Sequence, residues 1–250
     1  MLQVPASGQM KQPIASHSAA PGIPEIVEIP GGEYLMGQDD GRDEEQPVHK
    51  VRVDAFGLAR FQVTNEQYDL FCSSSGHPPT KFRDKDELNQ PSQPVTGTSW
   101  FDALAYCAWL SKRTRKRFRL PAEAEWEWAA RGGLLGQIYP WGNEPFTERE
   151  NYHTRWKRGP EPVGTSLPNG FGLYDMCENV HEWCAEWYDP KYYEASPRDN
   201  PPGAAKGTRR ASRGGAWRHQ IKISRCAARS SIPPELQYAD YGFRVARELG

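Results

Sequence analysis

The chain has 250 residues, enough for one large core or two small ones, and its 31 Lys and Arg against 32 Asp and Glu leave a formal charge of -1. No global field favours nucleic acid or an anionic membrane, so neither is expected as a partner. Nine Trp, 23 Gly and 22 Pro argue for a core of aromatics and loops with scarce regular structure, and against a helical bundle or a regular alternating α/β sheet.

Residues 1–25 contain no apolar run long enough for a signal-peptide core or a membrane span. The five cysteines (Cys72, Cys107, Cys177, Cys184 and Cys226) are scattered, with no C-x-x-C. Reduced thiols in a cytoplasmic protein are therefore expected, not a disulfide framework. The Pro-, Ser-, Ala- and Gly-rich segment 1–25 reads as a flexible tail that orders only by lying on a domain spanning 26–250.

Ile26 to Ile29 alternates as a strand does, Pro30-Gly31-Gly32 signals a turn, and Tyr34 to Gly37 resumes extended chain. An acidic loop follows. His49 to Phe56 then alternates Val51, Val53 and Ala55 with polar neighbours, predicting one strand with a wet face. Thr64 with Gln67 forms a capping-box pattern that predicts a helix over 65–74, burying Tyr68, Phe71 and Cys72. Ser99 with Asp102 opens a second helix, with Ala103, Tyr106, Cys107 and Leu110 on its inner face and a basic run from Lys112 to Arg119 at its end. Leu120-Pro121 starts a third, with Trp126, Ala129 and Ala130 inside, and Arg131-Gly132-Gly133 stops it. Beyond it helices give way to turn-rich aromatic segments and a strand-like run ending near Tyr188.

The C-terminal forty residues hold Arg213-Gly214-Gly215-Ala216-Trp217 and Tyr241-Gly242-Phe243-Arg244-Val245. The glycine pair permits a positive φ or close approach of a second segment. Five cations, Arg213, Arg218, Lys222, Arg225 and Arg229, could line an anion-binding groove, or could pair structurally with the chain's own acids and carbonyls. Cys177, His181 and Cys184 have a spacing that would share one helix face and could take zinc.

Nine motifs in order, among them Val63-Thr64-Asn65-Glu66, Arg119 through Glu127, Tyr139-Pro140-Trp141-Gly142, Asn169 through Met176, Asn179-Val180-His181-Glu182-Trp183, Arg213 through Trp217 and Gly242 through Val245, resemble the formylglycine-generating enzyme (sulfatase-modifying factor) family. The resemblance runs from about Ile26 to Leu249. It implies a single compact α+β domain of low regular secondary structure, distantly similar to the C-type lectin fold and stabilised by calcium. Function does not follow from fold, because this family holds oxidases as well as binding proteins.

The family's oxidases hold Cu(I) with two cysteines after the Arg-Gly-Gly-Ser motif. Here Ala216 replaces that serine, the segment is shorter, and one thiol, Cys226, remains; copper is not expected. The resemblance does imply calcium at Asn179, Val180 and Glu182, with Glu178 in place of a glycine, and a weaker site at Asn151 and Tyr152, whose continuation is basic. It also places Cys177, His181 and Cys184 in loop and strand, where they would not converge on zinc. The catalytic candidates are His219, Cys226 and Trp217; iron or another redox metal could bind at the histidines. Two functions stay open. One is a calcium-stabilised binding or accessory module whose groove of Trp217, Arg218, His219, Arg225 and Tyr238 holds a peptide or small anionic ligand. The other is a metal-dependent oxidoreductase using a His-based site in the same groove. Loss of the copper thiolates favours the first.

Overall fold

In the computed structural model, which describes residues 22–144, 159–219 and 224–250, three short sheets and three α-helices surround two apolar clusters. Strand β1 (Ile26–Ile29) pairs antiparallel with β4 (Phe56–Ala59), and the C-terminal β10 (Ala246–Arg247) lies between β4 and β5 (Phe118–Arg119). The chain thus closes its first strands with its last. A hairpin of β2 (Gly32–Met36) and β3 (His49–Val53) forms a second sheet. The third has the order β8 (Arg229–Ile232), β7 (Arg210–Arg213), β6 (His181–Trp187), β9 (Tyr241–Gly242), with β6 and β9 parallel.

Local sequence explains the helix starts. In α1 (Asn65–Ser75), the Thr64 hydroxyl accepts from the Gln67 amide and the Gln67 side chain accepts from the Thr64 amide. In α2 (Trp100–Thr114), Ser99 and Asp102 exchange the same bonds. These reciprocal caps satisfy donors that a helix start would leave orphaned. The third helix, α3 (Glu123–Arg131), begins later than Leu120-Pro121 predicts: the Pro121 carbonyl accepts from the Ala185 amide, and Glu125 caps the amide of Ala122. The segment read as one strand over 49–56 is two strands. Between them the Asp54 amide is taken by Asn200, and β3 and β4 turn to different sheets. The packed chain also starts before Ile26: Ile23 packs against the second cluster, Pro24 is buried, and Glu25 pairs with Arg60. Residues 1–21 of the expected tail lie outside the described residues.

The two clusters meet at β6. Cys184 joins the first, with Trp126, Val51 and Leu58, while Trp183 joins the second, with Tyr68, Tyr106 and Phe243. Alternation along a strand sends successive side chains to opposite faces, so β6 serves both cores. Beneath it runs a buried charge network. Glu123 accepts from Arg213 and Arg229, and Glu127 accepts from Arg213 and Arg131. Burial opposes ionisation of Glu123, but Arg229 and Arg213 outweigh it and hold the carboxyl down to about 2. Among the described residues no helix is long and apolar enough to cross a membrane.

Candidate functional site

The parallel pairing of β6 with β9 sets His181 opposite Tyr241, and the His181 amide donates to the Asp240 carbonyl at 2.8 Å. The turn after β7 brings a third residue to the same place. Gly214 and Gly215 have φ of 99° and 66°, and a Cβ on Gly215 would lie 2.2 Å from the Ser224 hydroxyl. Both outcomes read from the glycine pair, positive φ and close approach, therefore occur here. The path delivers His219, whose amide donates to the Ala216 carbonyl.

His181 Nε2 lies 2.9 Å from His219 Nδ1, and His219 Nε2 lies 3.3 Å from Asp240 Oδ2. Among the described residues, His181, His219 and Asp240 are the one group of three metal-ligand side chains with mutually close donor atoms, all within 4.8 Å of one another. Asp240 is buried and gripped by Arg218, whose Nε and terminal nitrogen each donate at 2.9 Å. His181 Nδ1 is buried and has no partner in hydrogen-bonding geometry. Burial, then His219 and Arg218, lower His181 to about 3 against a weak opposing pull from the Arg213 backbone, so its ring is neutral at physiological pH. Burial likewise lowers His219, with Asp240 working against it. A cavity of ≈ 60 Å³ beside the imidazoles is lined by Arg42, Gly214, Gly215, Ala228, Arg229 and Ser230.

The other expected site residues fare unevenly. Trp217 is half-buried, donating its indole N–H to the Ala239 carbonyl, and Tyr238 is exposed. Arg225 forms a fork on both oxygens of Glu45 at 2.7 Å and also reaches Gln38, while Arg213 and Arg229 serve the Glu123–Glu127 network. With Arg218 on Asp240, four of the five cations pair with the chain's own acids, the structural one of the two readings that the sequence left open; Lys222 lies outside the described residues. Cys226 is fully buried beside Cys177 and is not in the cavity wall, so it is not placed to meet a substrate. Burial first, then a hydrogen bond with Cys226, raises the Cys177 thiol well above its ordinary range.

The Glu182 and Asn179 oxygens expected to hold calcium are engaged by the protein itself. Glu182 Oε1 accepts from Gln62 and Arg244, and Oε2 from Trp126 and Arg244. The Asn179 side-chain oxygen accepts from the Glu161 amide, and its carbonyl accepts from the Trp217 amide at 2.7 Å. Val180 packs against Gly242. Calcium needs several oxygens with lone pairs aimed at one point, and those of Glu182 and Asn179 are aimed at protein donors. Asn151 and Tyr152 lie outside the described residues.

Asp240, and Arg42, Ala228 and Ser230 of the cavity wall, were missed from the sequence. The signal was a Tyr-Ala-Asp-Tyr-Gly stretch beside the Gly242–Val245 motif, but only the parallel β6–β9 pairing brings it to His181.

This α+β fold, with its two clusters joined through β6, places the chain in a class of compact mixed-sheet domains with few helices. The chain belongs to the formylglycine-generating enzyme family: residues 11–249 match the sulfatase-modifying factor enzyme 1-like domain. It is 34% identical to the formylglycine-generating enzyme of Streptomyces coelicolor, over 89% of this chain and 88% of that protein. It is 37% identical to the serine/threonine-protein kinase pkn1 of Chlamydia pneumoniae over 92% of this chain, and spans only 39% of that protein's length. Among solved structures, PvdO from Pseudomonas aeruginosa superposes with a TM-score of 0.80 at 33% identity, covering 93% of this chain and 100% of PvdO.

Proposed function

We propose that this domain is a metal-dependent oxidoreductase whose centre is His181, His219 and Asp240. The observation that carries the reading is their convergence from three separate segments, β6, the turn after β7 and the residue before β9, beside a small cavity. Two imidazoles and one carboxylate form a donor set suited to a divalent first-row metal with open coordination positions, and a redox-active ion held so would supply oxidant activation.

The chain's own residues have definite tasks in this reading. Arg218 fixes the Asp240 carboxylate in orientation, as outer partners of metal ligands do. His181 is held neutral, so a ligand lone pair is present without proton loss. The ≈ 60 Å³ cavity admits only a small group next to the imidazoles. The binding-module alternative loses support with its arginines, because Arg218 and Arg225 already hold carboxylates.

The test is metal content after anaerobic loading with Fe(II) or Co(II) and removal of excess ion. We expect about one equivalent in the wild type, with cobalt giving visible absorption bands set by His and carboxylate ligation, and loss in His219→Ala and Asp240→Asn while the thermal unfolding midpoint stays near wild type. Equal metal content in both variants would overturn the proposal.

A further inference from the structure

A second cavity, ≈ 350 Å³, opens between β6, β7 and the loop 200–204, with Arg119, Glu125, Glu186, Trp187, Asn200 and Arg210 in its wall. Two buried polar atoms on that wall have no hydrogen-bond partner, Glu186 Oε2 and Arg210 Nε. Unpaired buried groups of this kind cost about 1–3 kcal/mol each unless something meets them, and native proteins keep few of them. They lie where the β6–β7 register shifts between Trp183 and Trp187, and such bulges re-aim side chains.

The remaining contacts define what each atom offers. Glu186 is 6% exposed, and its Oε1 accepts from the Glu123 amide at 2.8 Å. The Arg210 guanidinium is clamped between Trp100 and Trp187, 3.7 and 3.5 Å from the ring centroids, and donates one terminal nitrogen to the Ala185 carbonyl. Arg119 and Glu125 neutralise one another through paired bonds of 2.7 and 2.6 Å. Burial, then the Glu123 carboxylate and, more weakly, Glu125, push Glu186 up to about 8. At neutral pH Glu186 is therefore a neutral acid, and Oε2 is the oxygen left to carry its proton. The loop seals this arrangement at Gly203, where a Cβ would sit 2.1 Å from Glu186 Cγ.

The wall thus presents two donors without acceptors and one uncompensated positive charge, that of Arg210. A cation would face Arg210, and a dianion would bring one charge too many. We propose that this cavity binds the carboxylate of a small monocarboxylic acid, which accepts from Glu186 Oε2–H and Arg210 Nε–H.

The probe is sodium acetate against matched sodium chloride, followed through the indole N–H resonances of Trp100 and Trp187. We expect saturable shifts, with affinity falling about tenfold for each pH unit above about 8 as Glu186 loses its proton. Glu186→Gln, a neutral donor at every pH, should bind acetate with no such fall, and Arg210→Lys should lose binding. Absence of saturable shifts would overturn the proposal and leave the cavity to water. Equal shifts in Glu186→Leu and Arg210→Lys, or equal binding of inorganic phosphate, would also overturn it.

Discussion

Arg244 sets its Nε and a terminal nitrogen on the two oxygens of Glu182, each at 3.0 Å, in a place where neither side chain has exposed surface. The same guanidinium donates to the carbonyls of Ala59, Arg60 and Tyr174, so it ties β4, the aromatic loop and β6 together. Breaking such a pair strands a buried charge. Arg244→Met should cost about 3–5 kcal/mol in urea unfolding, and adding Glu182→Gln should recover part of that loss. Chelator should not shift the melting temperature through Glu182; a calcium-dependent midpoint lost in Glu182→Gln would reinstate the ion there.

That pairing marks the limit of what the sequence could show. The helix starts at Thr64 and Ser99 were legible because a capping box is written in adjacent residues. The family was legible because its motifs recur in order. Long-range partners were not: Arg244 and Glu182 are 62 residues apart, and Arg225 and Glu45 are 180 apart. A run of arginines near one motif left a groove and structural pairing both open, and only the fold brings the acids that each one meets. His219 was legible as a candidate, but its partner Asp240 depended on a parallel strand pairing that periodicity does not encode.

Arg218 holds Asp240 from outside the proposed ligand set, so its removal should weaken metal binding without abolishing it. For Arg218→Ala we expect about 10–100-fold lower affinity for Co(II), with partial recovery in Arg218→Lys, which keeps the charge but not the fork. Equilibrium dialysis against the ion measures both. An unchanged affinity would mean that Asp240 is positioned by the backbone alone.

Gly215 combines a positive φ with crowding by Ser224, whose hydroxyl, Cβ and Cα would lie 2.2, 2.9 and 3.0 Å from a new side chain. The nearest atom is mobile but the Cα is not. Gly215→Ala should therefore cost about 1–2 kcal/mol from conformation alone, with a further steric penalty. It should also displace His219, so Co(II) absorption should weaken more than the melting temperature predicts. A variant that binds Co(II) as the wild type does would show that this turn does not set His219.

Glu186 gives a pH signature independent of any ligand. Its carboxyl rises from 4.5 to about 8 on folding, chiefly through burial. Between those values the native state retains a proton that the unfolded chain has released, so stability is fully present below about 4.5 and falls as pH rises toward 8. Above 8 both states are ionised and the slope vanishes. The total loss is a few kcal/mol in order of magnitude. Glu186→Gln cannot ionise, so urea unfolding should show its stability gaining on the wild type steadily from pH 5 to pH 8 and then running parallel. Curves that stay parallel across the whole range would mean that Glu186 titrates alike in both states and would overturn the upward shift assigned to its burial beside Glu123.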